Sequence, residues 1–207
     1  MFDINNKNDC SGLTFQELSD KCLTCTNCSL NETRTTVVFG TGPVPCNLMV
    51  IGEGPGEQED SQGKPFVGNA GQLLTKILGA VGINRENDLY ITNIVKCRPP
   101  QNRNPFPEEI ESCRNYLVQQ INLIKPKIII LLGSPALKTI LGAELGITRE
   151  RGKWFTLKVD YMDDLLYLMP AFHPSYLLRN ESKAKGSPKW LTWQDMKEVK
   201  AALDFYN

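Results

Sequence analysis

Residues 127–142 read KIIILLGSPALKTILG, and this stretch decides the fold. Ile128 to Leu132 form a short run of apolar, mostly branched residues, the pattern of a strand buried on both faces. Gly133 interrupts it. Ser134 then stands as an N-cap and Pro135 as a first helical residue, ahead of apolar side chains at helical spacing. A strand running straight into a helix is the repeating unit of an α/β fold.

The same kind of run recurs at NLMVI (47–51), LYITNIV (89–95) and LLYLMP (165–170). Helical patterns lie between them. AGQLLTKILGAVG (70–82) has a glycine beyond its apolar stripe. PEEIESCRNYLVQQINLI (107–124) opens on Pro107, with acids in its first turn where the helix dipole favours them. WQDMKEVKAALDF (193–205) follows Thr192 as a cap. Residues 147–162 are polar and aromatic and read as a β-hairpin excursion, and residues 1–20 as a polar N-terminal extension or short helix. The expectation is a single three-layer α/β/α domain over residues 1–207, with a central four-stranded parallel sheet.

Composition narrows the class. Lys plus Arg and Asp plus Glu both number 23, so net charge points to no partner and any electrostatic site must be local. No apolar run approaches the length that spans a bilayer. The first ten residues, MFDINNKNDC, lack the basic and apolar parts of a signal peptide, so a cytoplasmic location is expected. In such a chain the seven cysteines favour metal over disulfides. CLTCTNC (22–28) has overlapping C-x-x-C spacings, and Cys97 and Cys113 come later. Four thiolates so gathered suit zinc or an iron–sulfur cluster. Spacing alone separates neither the two metals nor Cys22 from the set.

Ligands of parallel sheets bind beyond the strands' carboxyl ends. After the first strand comes GEGPGEQEDSQGKPFVGNAG (52–71), which is neither a P-loop nor a G-x-G-x-x-G dinucleotide motif. Phe66 within it is either a loop anchor packing inward or a platform for a flat ligand. After the second strand, Asn93 can present one donor and one acceptor together, unless it merely satisfies nearby backbone. Lys96, Arg98 and Arg103 follow as a basic run that fits phosphate contact or a solvated loop. After the fourth comes His173, the single histidine of the chain. Beyond it Arg179, Lys183, Lys185 and Lys189 interleave with Tyr176, Leu177, Leu178 and Trp190, a pattern of nucleic-acid contact.

Together CTNCSLNETRTTVVFGTG (25–42), MVIGEGPGEQED (49–60), GKPFVGNAGQLL (63–74), YITNIVKCRPPQNRNP (90–105), RGKWF (151–155) and FHPSYLLRN (172–180) resemble the family 4, iron–sulfur uracil-DNA glycosylases. The resemblance runs in order from about Cys25 to Leu203. It implies an enzyme that hydrolyses the N-glycosidic bond of uracil in DNA, single or double stranded, with the base flipped into a pocket. A monomer with no membrane contact is expected.

Residue by residue, the resemblance makes Cys25, Cys28, Cys97 and Cys113 ligands of a 4Fe-4S cluster, with Leu30 and Arg34 fixing the register and Cys22 an extra thiol. Phe66 matches the aromatic that stacks on the base, within a pocket that includes Gly52 and Gly54. Asn93 matches the amide that reads the pyrimidine edge, and His173 the catalytic histidine. Leu177 falls where a side chain enters the vacated duplex. Arg98, Arg103 and Arg179 are the expected phosphate contacts. The best-known branch of the superfamily has a water-directing Asp where this chain has Gly54; Glu53 is the adjacent carboxylate and looks like the family 4 equivalent, there to position water, to block thymine or to shape the pocket.

Overall fold

In a computed structural model, which describes residues 2–6 and 8–206, the apolar runs form one five-stranded sheet. Its strands are β1 (Leu48–Gly52), β2 (Leu89–Asn93), β3 (Ile128–Leu132), β4 (Phe155–Lys158) and β5 (Leu165–Ala171), in the order β2-β1-β3-β5-β4. Four are parallel, as expected. β4 is the addition: it runs antiparallel to β5, Phe155 opposite Leu168, and makes the edge that a four-stranded reading omits. It comes from the expected hairpin excursion, whose first part is instead a short helix, α6 (Ile147–Glu150).

Successive residues of each parallel strand serve opposite layers, which is why the runs are apolar throughout. Met49, Ile51, Ile129 and Leu131 face a core completed by α1 (Phe15–Leu23) and α4 (Pro107–Ile124). Leu48, Val50, Ile128 and Ile130 face the other, completed by α3 (Asn69–Gly79) and α8 (Pro188–Asp204). A short α2 (Glu57–Gln62) precedes α3. α5 (Gly133–Leu141) follows β3, and α7 (Pro174–Leu178) follows β5. Among the described residues no helix is long and apolar enough to cross a membrane.

Two expected caps are corrected. α5 begins at Gly133 with no side-chain cap, so Ser134 lies inside the helix. α8 begins at Pro188, capped by Ser187, whose Oγ accepts from the Trp190 N–H. Thr192 is buried within that helix and donates to the Pro188 carbonyl. The Ser-Pro pair at 187–188 is the stronger start signal, since proline's fixed φ suits the first turn.

The first twenty residues do more than extend the chain. Phe2 and Ile4 are buried in the α4 core, and Asn122 of α4 donates to the Ile4 carbonyl. Asn5 bonds to both Lys158 and Asp160 at the end of β4. At the opposite edge, Thr41 exchanges two backbone hydrogen bonds with Ile91 of β2.

Candidate active site and cysteine cavity

The parallel strands β1, β2, β3 and β5 end together, and a cleft of about 420 Å³ opens there. Glu53, Gly54, Phe66, Asn93, Arg103, His173 and Arg179 all line it. The β1–β2 register sets Gly52 against Asn93. A Cβ at Gly52 would stand 2.5 Å from both Asn93 Oδ1 and the Phe66 ring, so glycine lets the amide and the ring meet.

Asn93 is 1% exposed, and its Oδ1 is a buried acceptor with no hydrogen-bond partner among the described residues. Leaving such an atom unpaired costs about 1–3 kcal/mol, and buried polar atoms are otherwise almost always paired. The amide is therefore set for a donor that the folded chain does not supply.

Phe66 is held in place from both sides. Its φ of 52° lies in the left-handed region, which costs a bulky side chain energy that its surroundings must repay. Arg85 donates to the Phe66 and Pro65 carbonyls, both at 2.6 Å, and to Thr75 Oγ1 at 3.0 Å. Glu59 Oε1 accepts from the Val67 and Gly68 N–H groups, both at 2.8 Å. The Gly71 Cα lies so near the Phe66 carbonyl that no side chain fits there.

His173 faces Phe66 with ring centroids 5.8 Å apart. The Ser175 backbone N–H donates to His173 Nδ1 at 3.2 Å, and the Ser175 hydroxyl lies 2.8 Å from the same nitrogen. A nitrogen that accepts carries no proton, so the neutral ring holds its proton on Nε2. Burial, then the Arg179 charge, lowers the His173 pKa to about 4, so the ring is neutral near pH 7. Gly133 makes room for it: a Cβ there would stand 3.0 Å from the His173 Cβ. Burial also raises the Glu53 carboxyl above the usual range.

The expected phosphate contacts differ among themselves. Arg103 is engaged by the buried Glu109 through both carboxylate oxygens, at 2.6 and 2.8 Å, and lies 3.7 Å over the Phe106 ring. Arg98 donates to Asn102 and sits 4.0 Å from Glu57. Arg179 is exposed on the cleft. Lys96 is no surface cation: it is fully buried, and its Nζ donates to Thr92 Oγ1 and to the Asn93 carbonyl. Leu177 is likewise corrected. It is 0% exposed, because α7 packs that side inward against α3, whereas Leu178 is 40% exposed.

Behind Lys96, Cys22, Cys25, Cys28, Cys97 and Cys113 line one small cavity. All are free thiols. Arg34 Nη1 donates to Cys97 Sγ at 3.2 Å. Burial pushes the thiols of Cys22, Cys28 and Cys97 up, and that of Cys113 up to about 12. Among the described residues no three Cys, His, Asp or Glu side chains are drawn close enough to share one ion. An all-sulfur donor set around a cavity, with a guanidinium on one sulfur, fits a thiolate-bound iron–sulfur cluster, and by its donors alone fits zinc as well. Cys10 and Cys46 lie outside that cavity.

Sequence reasoning missed Arg85, Glu59 and Gly133, each of which acts through the backbone or side chain of another residue. Only Glu59 carries a signal, as an acid near a glycine-rich loop.

With this geometry in view, comparison with known proteins gives the class first. Residues 39–197 match the Uracil DNA glycosylase superfamily. The type-4 uracil-DNA glycosylase of Thermotoga maritima is 47% identical over 80% of this chain and 83% of its own length. Those of Archaeoglobus fulgidus and Saccharolobus solfataricus are 38% and 40% identical, over 80% and 90% of this chain and 83% and 85% of their own lengths. The chain belongs to the uracil-DNA glycosylase superfamily, in its type-4 branch.

Proposed function

We propose that the cleft excises uracil from DNA, hydrolysing the N-glycosidic bond to release the free base and leave an abasic site. The observation that carries this is the unpaired, buried Oδ1 of Asn93 beside the Phe66 ring. Uracil N3–H supplies the missing donor, and the Asn93 Nδ2 group donates to O4. Cytosine presents an acceptor at N3 and an amino group at C4, the reverse pattern, and would leave both atoms of the amide unpaired. Phe66 stacks on the ring. The base is flipped from the strand, since the cleft has no reach into a stacked duplex.

Breaking the bond from N1 to the sugar leaves the electron pair on uracil and positive charge on the sugar. The neutral His173 donates its Nε2–H to uracil O2, a contact that strengthens as the anion forms. Glu53 holds the water that adds to the sugar carbon. Arg98, Arg103 and Arg179 lie along the path of the backbone, with Arg179 the cation most open to phosphate. Leu178 takes the intruding role expected of Leu177.

Cys25, Cys28, Cys97 and Cys113 would hold a 4Fe-4S cluster. That group supplies a covalent tie between the N-terminal segment, the loop after β2 and α4, and electron-accepting iron that stabilises thiolates at low pKa. The chain acts as a cytoplasmic monomer on single- or double-stranded DNA. An oligonucleotide carrying one uracil tests the reading: alkali after incubation should cut it there, with no cut before alkali and no borohydride-trapped adduct. An intact strand after alkali would refute it.

A further inference from the structure

We infer that a second groove, between α3 and the start of α8, binds the single-stranded DNA that leaves the cleft. The inference rests on the proposed reading of the cleft as a DNA site. The groove encloses about 410 Å³ and has Leu73 and Ile77 of α3 on one wall and Trp190 and Trp193 of α8 on the other. Trp193 is 41% exposed, an unusual position for the largest apolar side chain.

Every charged side chain lining the groove is a lysine: Lys76, Lys183 and Lys189. Lys197 adds a fourth cation, its Nζ 4.1 Å over the Trp193 ring. The whole chain carries no net charge, so this positive cluster is local. Cations around one exposed and one half-buried tryptophan suit a ligand that is anionic outside and flat inside, which describes a single strand with its bases unpaired. Bases within a duplex have their faces covered by neighbours.

The groove also continues the cleft. Ala70 of α3 lines the cleft, while Leu73 and Ile77 line the groove, three and seven residues on along the same face. Seven residues of helix span about 10 Å, the length of roughly three stacked nucleotides. The loop after α7 makes the same passage, with Arg179 at the cleft and Lys183 at the groove.

The test uses the full chain and single strands with one uracil, flanked by one or by eight nucleotides on the 5′ side, the 3′ side or both. The expected result is binding about ten-fold tighter when the long flank lies on one particular side, with tryptophan fluorescence quenched. Trp193→Ala should remove most of that gain, with excision from the shortest strand unchanged and the circular dichroism spectrum native. Lys189→Glu, on the surface, should remove part of it and flatten the salt dependence. Equal affinity for every flank in an active enzyme, with unquenched tryptophan, would overturn the inference and leave the groove to a protein partner. A chain that excises no uracil from any strand would instead refute the reading of the cleft.

Discussion

The cleft and the cysteine cavity lie at the two ends of one five-residue stretch, Asn93 to Cys97, yet they are built on opposite terms. In the cleft each working side chain is fixed by the chain itself: Phe66 by Arg85 and Glu59, His173 by Ser175, Asn93 by the sheet. In the cavity the thiols are held apart, uncrosslinked and pushed toward the protonated form by burial. The first arrangement is complete except for its substrate. The second is the site proposed above for the cluster, which would bind these sulfurs as thiolates. Stability should therefore hang on the cavity and rate on the cleft.

The largest effect should follow loss of the proposed cluster. Cys113→Ser should cost iron, the brown colour and on the order of several kcal/mol of folding free energy, whereas Cys22→Ser should keep full iron content. Iron analysis and thermal unfolding check both, and bleaching by Cys22→Ser alone would reverse the ligand assignment. Next comes His173→Asn, expected to slow single-turnover excision by about 10²–10³ with DNA affinity nearly intact. A folded variant with near-normal rates would make the imidazole part of the scaffold and erase the contrast.

Asn93→Ala should follow, losing about 1–3 kcal/mol of transition-state affinity for uracil. Arg85→Lys tests the frame around Phe66 without touching the substrate. Its KM should rise several-fold with kcat little changed, because a lysine replaces part of the grip on the two carbonyls. A fall in folded protein without that split would make Arg85 purely structural.

The smallest effect is on pH. Burial holds the His173 pKa near 4 in the folded protein, against an ordinary imidazole value of 6.5. The unfolded chain therefore takes up the proton first as pH falls, and stability present above 6.5 is lost on the way to about 4. Wild-type protein should show this slope in denaturant titrations, and His173→Asn should lack it. Activity should fall in acid with Glu53, whose raised pKa moves that limb upward, and Glu53→Gln should remove the limb.

Much of this was legible because parallel strands advertise themselves. Continuous apolar runs locate β1, β2, β3 and β5, and the rule about carboxyl ends then gathers Glu53, Asn93 and His173 at one edge. α4 was read to the residue from Pro107 and its acids. β4 was legible only as part of a hairpin excursion over 147–162, since alternate residues of an edge strand are covered, and Phe155 and Leu157 are too few to fix its bounds or its place in the sheet. Phe2 and Ile4 were lost as isolated apolar residues in a polar stretch. Lys96 looked like its basic neighbours, and nothing local reveals that its hydrogen bonds point inward. The choice between Leu177 and Leu178 turns on the rotation of a five-residue helix, which packing against α3 sets and spacing does not.

The sheet's two outer strands carry a last consequence. An open strand edge is a template on which another chain can add, and proteins that must stay dispersed block it. Here Thr41 occupies the β2 side, and Asn5, beside the buried Phe2 and Ile4, engages the end of β4. The N-terminal residues thus brace one end of that edge: removing Phe2, Ile4 and Asn5 would open two apolar sockets beside the close of β4, and the shortened protein should associate with itself more readily.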